Sequence, residues 1–294
     1  MPTGIFTFYV PGTVDETAKR IRAYGFDTVQ LNLEFADWRF EDDSSPAACR
    51  AVSETFRGNG LSIAAIAGYL NPIARDPARR RANLDRMKTM LERARDLGSP
   101  YVATETGSLH PHDDWAPHPD NESPAAFDQA CATIDGLARH AAACGAVLLV
   151  EPSVGNIVDT PAKAQTLMRE IGSSSLGLVA DPANYVDEGS LGRADEVQHD
   201  MFARTAPYLK LAHAKDVRRI DGAPRERHHH MGDPTLYGGM EYPSAGLGDL
   251  NYDLYLSLLQ RHCPDVPLIV EHLDEADVAR AKAFVDGRRA ALRM

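Results

Sequence analysis

The sequence predicts an α/β protein, a single (β/α)8 TIM barrel spanning residues 1–294, and three observations carry that expectation. Short β-type runs alternate with longer helical patterns from end to end, and there are eight such runs. Glycine follows the helical patterns at a repeated phase, where it supplies the left-handed C-cap that most side chains avoid. A chain of 294 residues, 44% apolar and 25% charged, is long enough for one barrel and has the composition of a folded globular protein.

The first β-type run is Ile5–Val10, and the helical pattern Val14–Tyr24 after it stops before Gly25. Thr28–Leu33 leads into Ala47–Asn59, which stops before Gly60, and Ser62–Tyr69 leads into Arg79–Leu97, which stops before Gly98. Tyr101–Thr106 precedes Ala125–Cys144 and Gly145; Val147–Pro152 precedes Pro161–Ile171 and Gly172. Leu176–Ala180 precedes Leu191–Thr205, Leu209–Ala214 precedes Tyr252–Arg261, and Leu268–His272 is the eighth run. Near-continuous apolar stretches such as Val147-Leu148-Leu149-Val150 are what a parallel strand covered on both faces requires. An open doubly wound sheet shares that pattern but usually carries a Gly-rich turn after its first strand, and Val10-Pro11-Gly12-Thr13 is not one. Two segments break the rhythm: about 108–123, rich in Pro, His, Asp and Trp, and about 221–249, long and Gly-rich. Both follow a β-type run, so a barrel places both on the C-terminal face where sites are built.

Forty-two acidic against thirty-one basic side chains give a formal charge of −11. Without a concentrated basic patch, nucleic acid is a poor partner. The N-terminus lacks a basic start followed by an apolar run, and no stretch approaches ~18 uninterrupted apolar residues, so the expectation is a cytoplasmic protein with no membrane partner. Cys49, Cys131, Cys144 and Cys263 show no C-x-x-C spacing and are expected to be reduced.

Polar groups stand at the ends of four β-type runs where apolar packing alone would not put them. Leu148-Leu149-Val150 runs into Glu151, Leu178-Val179-Ala180 into Asp181, Leu209-Lys210-Leu211-Ala212 into His213, and Leu268-Ile269-Val270 into Glu271. Three carboxylates and one imidazole at one end of a barrel make a mostly hard-donor divalent site. Manganese suits it best, with magnesium, cobalt or zinc as alternatives.

At these residues the sequence resembles the xylose-isomerase-like barrel superfamily, in the sugar (phosphate) isomerase/epimerase branch that holds ketose 3-epimerases and hydroxypyruvate isomerase. The likeness covers nearly the whole chain. It rests on Val150-Glu151-Pro152, Asp181-Pro182-Ala183-Asn184, His213-Ala214-Lys215-Asp216, Ile269-Val270-Glu271-His272, and Gly246-Leu247-Gly248-Asp249-Leu250-Asn251-Tyr252. The resemblance implies that Glu151, Asp181, His213 and Glu271 hold one divalent metal, and that Glu151 and Glu271 are also the catalytic acid/base pair on opposite faces of the substrate. It implies Arg219 as a substrate contact, with adjacent Arg218 leaving the register open. Where ketose epimerases carry a histidine three residues after the strand-six aspartate, this chain has Asn184, which can hydrogen-bond a sugar oxygen but cannot titrate.

Other residues are candidates by position. Glu105 ends the fourth run and can accept from sugar hydroxyls or from a neighbouring loop. His110, His112 and Trp115 follow in the first long loop, where an aromatic ring can stack on a sugar. His228-His229-His230 reads as a solvated loop or substrate lid, since three adjacent residues cannot all aim at one ion. Lys215 and Asp216 are expected to orient His213 and neighbouring loops, and His272, on the opposite face from Glu271, is expected in the core or behind the site. The leading function is a metal-dependent isomerase or epimerase of a small sugar, keto-sugar or polyol derivative through an enediolate. The alternatives are a metal-dependent lyase or dehydratase on a keto-inositol or 3-keto-glycoside, and a non-catalytic sugar-binding barrel or subunit. The partner is a small carbohydrate; self-association stays open.

Overall fold

Almost wholly buried strands pair side by side until the first meets the last. The computed structural model describes residues 1–220, 235–237 and 239–292. In it β1 (Thr3–Phe6), β2 (Thr28–Leu31), β3 (Ser62–Ala67), β4 (Tyr101–Glu105), β5 (Val147–Glu151), β6 (Leu176–Ala180) and β7 (Leu209–Ala214) run parallel, each beside the next. After β7 the chain makes an excursion: β8 (Arg218–Arg219), β9 (Thr235–Tyr237) and β10 (Met240–Tyr242) form a small antiparallel sheet in the order β8-β10-β9. It then returns as β11 (Leu268–Val270), which pairs with β7 and, through Thr3↔Leu268, with β1, closing an eight-stranded barrel. The small sheet is absent from the sequence reading because its strands are two or three residues long, too short for a period of two to register.

Outside the barrel lie α1 (Val14–Ala23), α2 (Pro46–Gly58), α3 (Pro77–Arg93), α4 (Pro124–Cys144), α5 (Pro161–Ile171), α6 (Ala194–Thr205), α7 (Tyr252–His262) and α8 (Val278–Ala291). Side chains of Thr13, Ser45, Asp76, Ser123, Thr160 and Asn251 accept from free N–H groups in the first turns of their helices, and Thr13 with Glu16 forms a full capping box. Gly25, Gly60, Gly98, Gly145 and Gly172 all have positive φ, as the helix-to-strand turns predicted. α8 buries only Val278, Ala281 and Val285, an apolar stripe too faint to mark it as a helix in the sequence. No helix among the described residues is long and apolar enough to cross a membrane.

Side chains of Ala65, Ala103, Leu149, Val179, Leu211 and Ile269, one from each of six strands, fill the lumen as a layer of their own. Gly4 on β1 leaves room for this floor, since a Cβ there would sit 2.6 Å from Ile269 Cδ1. Successive side chains alternate across a strand, so the residues two further on point inward one layer higher. On these strands those residues are Ala67, Glu105, Glu151, Asp181, His213 and Glu271. An apolar floor thus carries a polar upper layer. A second, larger core between barrel and helices buries Phe26, Phe56, Phe202 and Tyr255 completely. At about 1.5–3 kcal/mol per buried large apolar side chain, the apolar floor and this outer core supply the main driving force for folding.

Candidate metal centre

β5, β6, β7 and β11 are consecutive neighbours in the barrel, so the groups at their C-terminal ends converge. One ligand atom each from Glu151, Asp181, His213 and Glu271 lies within 4.8 Å of all the others, and all four residues are buried. His213 Nδ1 is the hub, 3.2 Å from Glu151 Oε1, 3.4 Å from Glu271 Oε2 and 3.7 Å from Asp181 Oδ2. Its other nitrogen, Nε2, is 2.8 Å from Gln30 Oε1. Tyr69 fixes that glutamine: its hydroxyl donates to Glu151 Oε2 at 2.6 Å and accepts from Gln30 Nε2 at 3.1 Å. Tyr255 anchors the strand ends beneath, its hydroxyl 3.1 Å from the carbonyl oxygen of Ala180 and 2.8 Å from that of His213.

Lys215 places an ammonium on the far side of the cluster, 2.8 Å from Asp181 Oδ2 and 3.0 Å from Glu271 Oε1. It donates to Asn184 Oδ1 at 2.7 Å, and the Asn184 amide in turn donates to Glu151 Oε1 at 2.6 Å. Lys215 therefore braces the carboxylates directly, and it is Gln30 that orients His213. Asp216 does tie down neighbouring loops, accepting from the backbone N–H groups of Val217, Gly246 and Leu250.

Burial alone would push Glu271 up, but His213 and Lys215 outweigh it and hold the carboxyl well below its usual range. Asp181 is likewise lowered, by Lys215 and His213 against burial. His213 is driven well above the ordinary imidazole value because Glu151 and Glu271 overcome the burial that would lower it. These shifts record one thing: the cavity end is strongly negative and calls for positive charge.

The donor set fits a divalent cation. Asp181 Oδ2 and Glu271 Oε1 are buried and, among the described residues, meet only the Lys215 ammonium at hydrogen-bond distance, so lone pairs remain on both after that pairing. With one ammonium already opposing three carboxylates, a doubly charged ion in place of the His213 proton leaves the cluster neutral.

A cavity of about 610 Å³ opens above this layer, within the range of small-molecule sites. Glu151 and Glu271 line it, as do Lys215, Glu105 and Trp115; Asp181 and His213 do not. Phe6, Phe8, Tyr9 and Tyr69 make one wall, with ring centroids 5.3–6.3 Å apart. The first β-type run ends early to build it: β1 stops at Phe6 and a turn of 3-10 helix at Thr7–Tyr9 carries Phe8 and Tyr9. A polar Gln30 inside Thr28–Leu31 was the one sequence signal for this side of the site.

Several candidates lie elsewhere. Arg219 is 63% exposed and pairs with Glu188 at 3.0 Å, whereas Arg218, bound to Glu241 at 2.5 Å, lines the cavity. β8 alternates like any strand, so only one of the two arginines can face inward. His110 is absent from the cavity wall; its Nδ1 accepts from the backbone N–H of Asp113 at 3.0 Å and shapes its own loop. Asn184 is buried behind Glu151 and reaches the cavity through it. Glu105 accepts from the Asn156 amide at 2.6 Å while facing the cavity. His272, expected behind the site, lines the cavity. His228, His229 and His230 lie outside the described residues, as does most of the second long loop's first half.

No curated protein matches the sequence. Solved structures match over the whole fold. A xylose isomerase-like TIM barrel protein from Mycobacterium smegmatis in complex with magnesium is 17% identical, covers 99% of this chain and 97% of its own, and has a TM-score of 0.69. D-psicose 3-epimerase from Clostridium cellulolyticum H10, solved with D-tagatose, is 15% identical, with 99% of both chains covered and a TM-score of 0.71. 3-Keto-D-glucoside 4-epimerase from E. coli is 19% identical, covering 100% of this chain and 99% of that one, with a TM-score of 0.64. At these identities the likeness is one of fold. The family described as xylose isomerase-like TIM barrel matches residues 18–292, nearly the full length of the closed barrel, and the chain belongs to that family.

Proposed function

We propose that the protein is a divalent-metal-dependent isomerase or epimerase of a small sugar, keto-sugar or polyol derivative. One observation carries the reading: of the four clustered groups, only Glu151 and Glu271 line the cavity, so two of the three carboxylates able to bind an ion are also the ones that can touch a substrate. They stand on the outer members of four neighbouring strands, with Asp181 and His213 between them. A divalent ion held by the four, manganese in this reading, would act as a Lewis acid on the substrate's carbonyl and adjacent hydroxyl oxygens.

Removal of a proton next to a carbonyl leaves an enediolate. In this proposal one glutamate takes that proton and the other returns one from the opposite face. Lys215 keeps a fixed positive charge at the same end of the cavity, which favours charge developing on substrate oxygen. The Phe6, Phe8 and Tyr9 wall offers the substrate's carbon skeleton an apolar face. Neither carboxylate is a covalent nucleophile here, because proton transfer needs none. A reducing, cytoplasmic setting belongs to the same reading, supported by four cysteines that remain free thiols.

The test is solvent deuterium exchange with manganese-loaded protein on D-fructose, D-tagatose and a methyl 3-keto-glucoside, followed by NMR. Deuterium at the α-carbon with isomerised or inverted product is expected. No exchange on any keto-sugar would overturn the proposal. The cavity volume and aromatic wall favour one second reading, a lyase acting on a keto-inositol or 3-keto-glycoside. Loss of water or of the aglycone, alongside exchange, would select it.

A further inference from the structure

Among described residues other than glycine, His272 alone has a left-handed backbone, with φ at 58°. A side chain with a Cβ adopts that conformation at a cost, and such residues cluster where the strained geometry is used. Its consequence here is specific. Strand alternation would put the residue after Glu271 on the opposite face, yet the left-handed turn brings the ring round to the cavity that Glu271 lines. Nδ1 carries a proton, because it meets the backbone carbonyl of Tyr242 on β10 at 2.8 Å. The ring is held by that bond, with Nε2 3.9 Å from Glu271 Oε1 and a side chain 17% exposed. No hydrogen bond from a described residue reaches Nε2.

We propose that His272 is a substrate-binding residue whose Nε2 accepts a hydrogen bond from a sugar hydroxyl beside the carbon that Glu271 addresses. The inference deepens the proposed function and rests on it for the nature of the ligand. It assigns the left-handed turn a purpose: the backbone spends conformational energy to put an acceptor of fixed direction next to an acid/base group. An acceptor so placed discriminates between substrates, since an analogue lacking the hydroxyl leaves it without a partner.

The alternative is that the ring merely ties β11 to β10, and two variants separate the roles. His272→Gly removes the ring and accepts the left-handed backbone freely; His272→Asn keeps a polar side chain in a conformation asparagine tolerates. With manganese-loaded protein, both should keep their metal content and thermal midpoint, the glycine variant melting no lower than wild type. For the best-exchanged sugar, kcat/KM should fall by about tenfold, the scale of one lost hydrogen bond. One member of a deoxy-sugar series should lose as much on the wild type and nothing further on His272→Gly, because both changes delete the same bond. A melting point several degrees lower, with all substrates affected equally, would assign His272 to the structural tie and overturn the proposal. So would unchanged kinetics. If wild type exchanges no sugar at all, the proposed function fails by itself. The contact is then read from the 15N resonance of His272 Nε2 on adding D-fructose: a shift supports it and an unmoved signal overturns it.

Discussion

Gln30 decides which nitrogen of His213 faces the carboxylates. The Tyr69 hydroxyl spends its proton on Glu151, so it accepts from the Gln30 amide, and Gln30 must turn its carbonyl oxygen to His213 Nε2. Nε2 therefore carries hydrogen, and Nδ1 is the nitrogen that can take a proton or an ion from the side of Glu151, Asp181 and Glu271. Replacing Gln30 by Met keeps the volume and deletes that anchor. Manganese affinity is expected to fall ~10–100-fold, the usual loss when a ligand's supporting partner goes, with the melting curve little changed. Titration calorimetry reads the first and circular dichroism the second; wild-type affinity would show that Gln30 does not orient the ring. At the glutamates, Glu151→Gln and Glu271→Gln each keep an oxygen that can reach the ion but lose the titrating group, so turnover should drop ~10²–10⁴-fold. Binding should suffer far less. One variant can still wash deuterium into the α-position from its intact face without inverting the centre, and inversion at the wild-type rate by either would end the two-carboxylate mechanism.

Between β4 and α4 the chain is held by a joint at Gly107, where φ is 77° and an added Cβ would lie 2.1 Å from Asn71 Oδ1. Asn71 is the pin of that joint: its amide donates to the Ser108 carbonyl at 2.7 Å, and its oxygen accepts from the Ile73 N–H at 3.1 Å. Gly107→Ala combines a left-handed strain with the loss of this pin and should cost about 1–3 kcal/mol in urea denaturation. Because Trp115 sits in the same loop, KM should rise as well; a variant as stable as wild type would show the joint to be slack. The strand-end tetrad was legible beforehand for a simple reason. A period of two carries Leu149 to Glu151, Val179 to Asp181, Leu211 to His213 and Ile269 to Glu271, and each step goes from an apolar floor to a polar rim. What stayed illegible breaks that period. Phe8 and Tyr9 ride a 3-10 turn inside an apparent β run, the two-residue β8 swaps Arg218 for Arg219 in the cavity, and the left-handed His272 reverses its own face.

For the molecule as a whole, the buried acidic cluster links folding, protons and metal. Asp181 and Glu271 titrate below their ordinary values in the folded chain. They therefore contribute stability that is present above the unfolded carboxylate range and is lost as pH falls through the depressed folded values. His213 has the opposite sign: raised in the folded state, it contributes stability that is complete below the ordinary imidazole value of about 6.5 and lost only as pH climbs through its raised one. That upward shift favours the protonated ring in the metal-free protein at neutral pH, with Nδ1 facing Glu151, Asp181 and Glu271. Metal entry must expel that proton. Manganese affinity should accordingly rise with pH, approaching ~10-fold per unit while the metal-free imidazole stays protonated, with release of about one proton per ion. Calorimetry in buffers of different ionisation enthalpy measures that number directly. The same competition separates activity from folding: chelation should abolish turnover and lower the melting temperature, yet leave the far-ultraviolet spectrum intact, because the apolar floor and the outer core hold the barrel without the ion. Proton release near zero, or affinity that does not change with pH, would mean that His213 is not the ligand the ion displaces a proton from, and the four-residue assignment would have to be redrawn around the carboxylates alone.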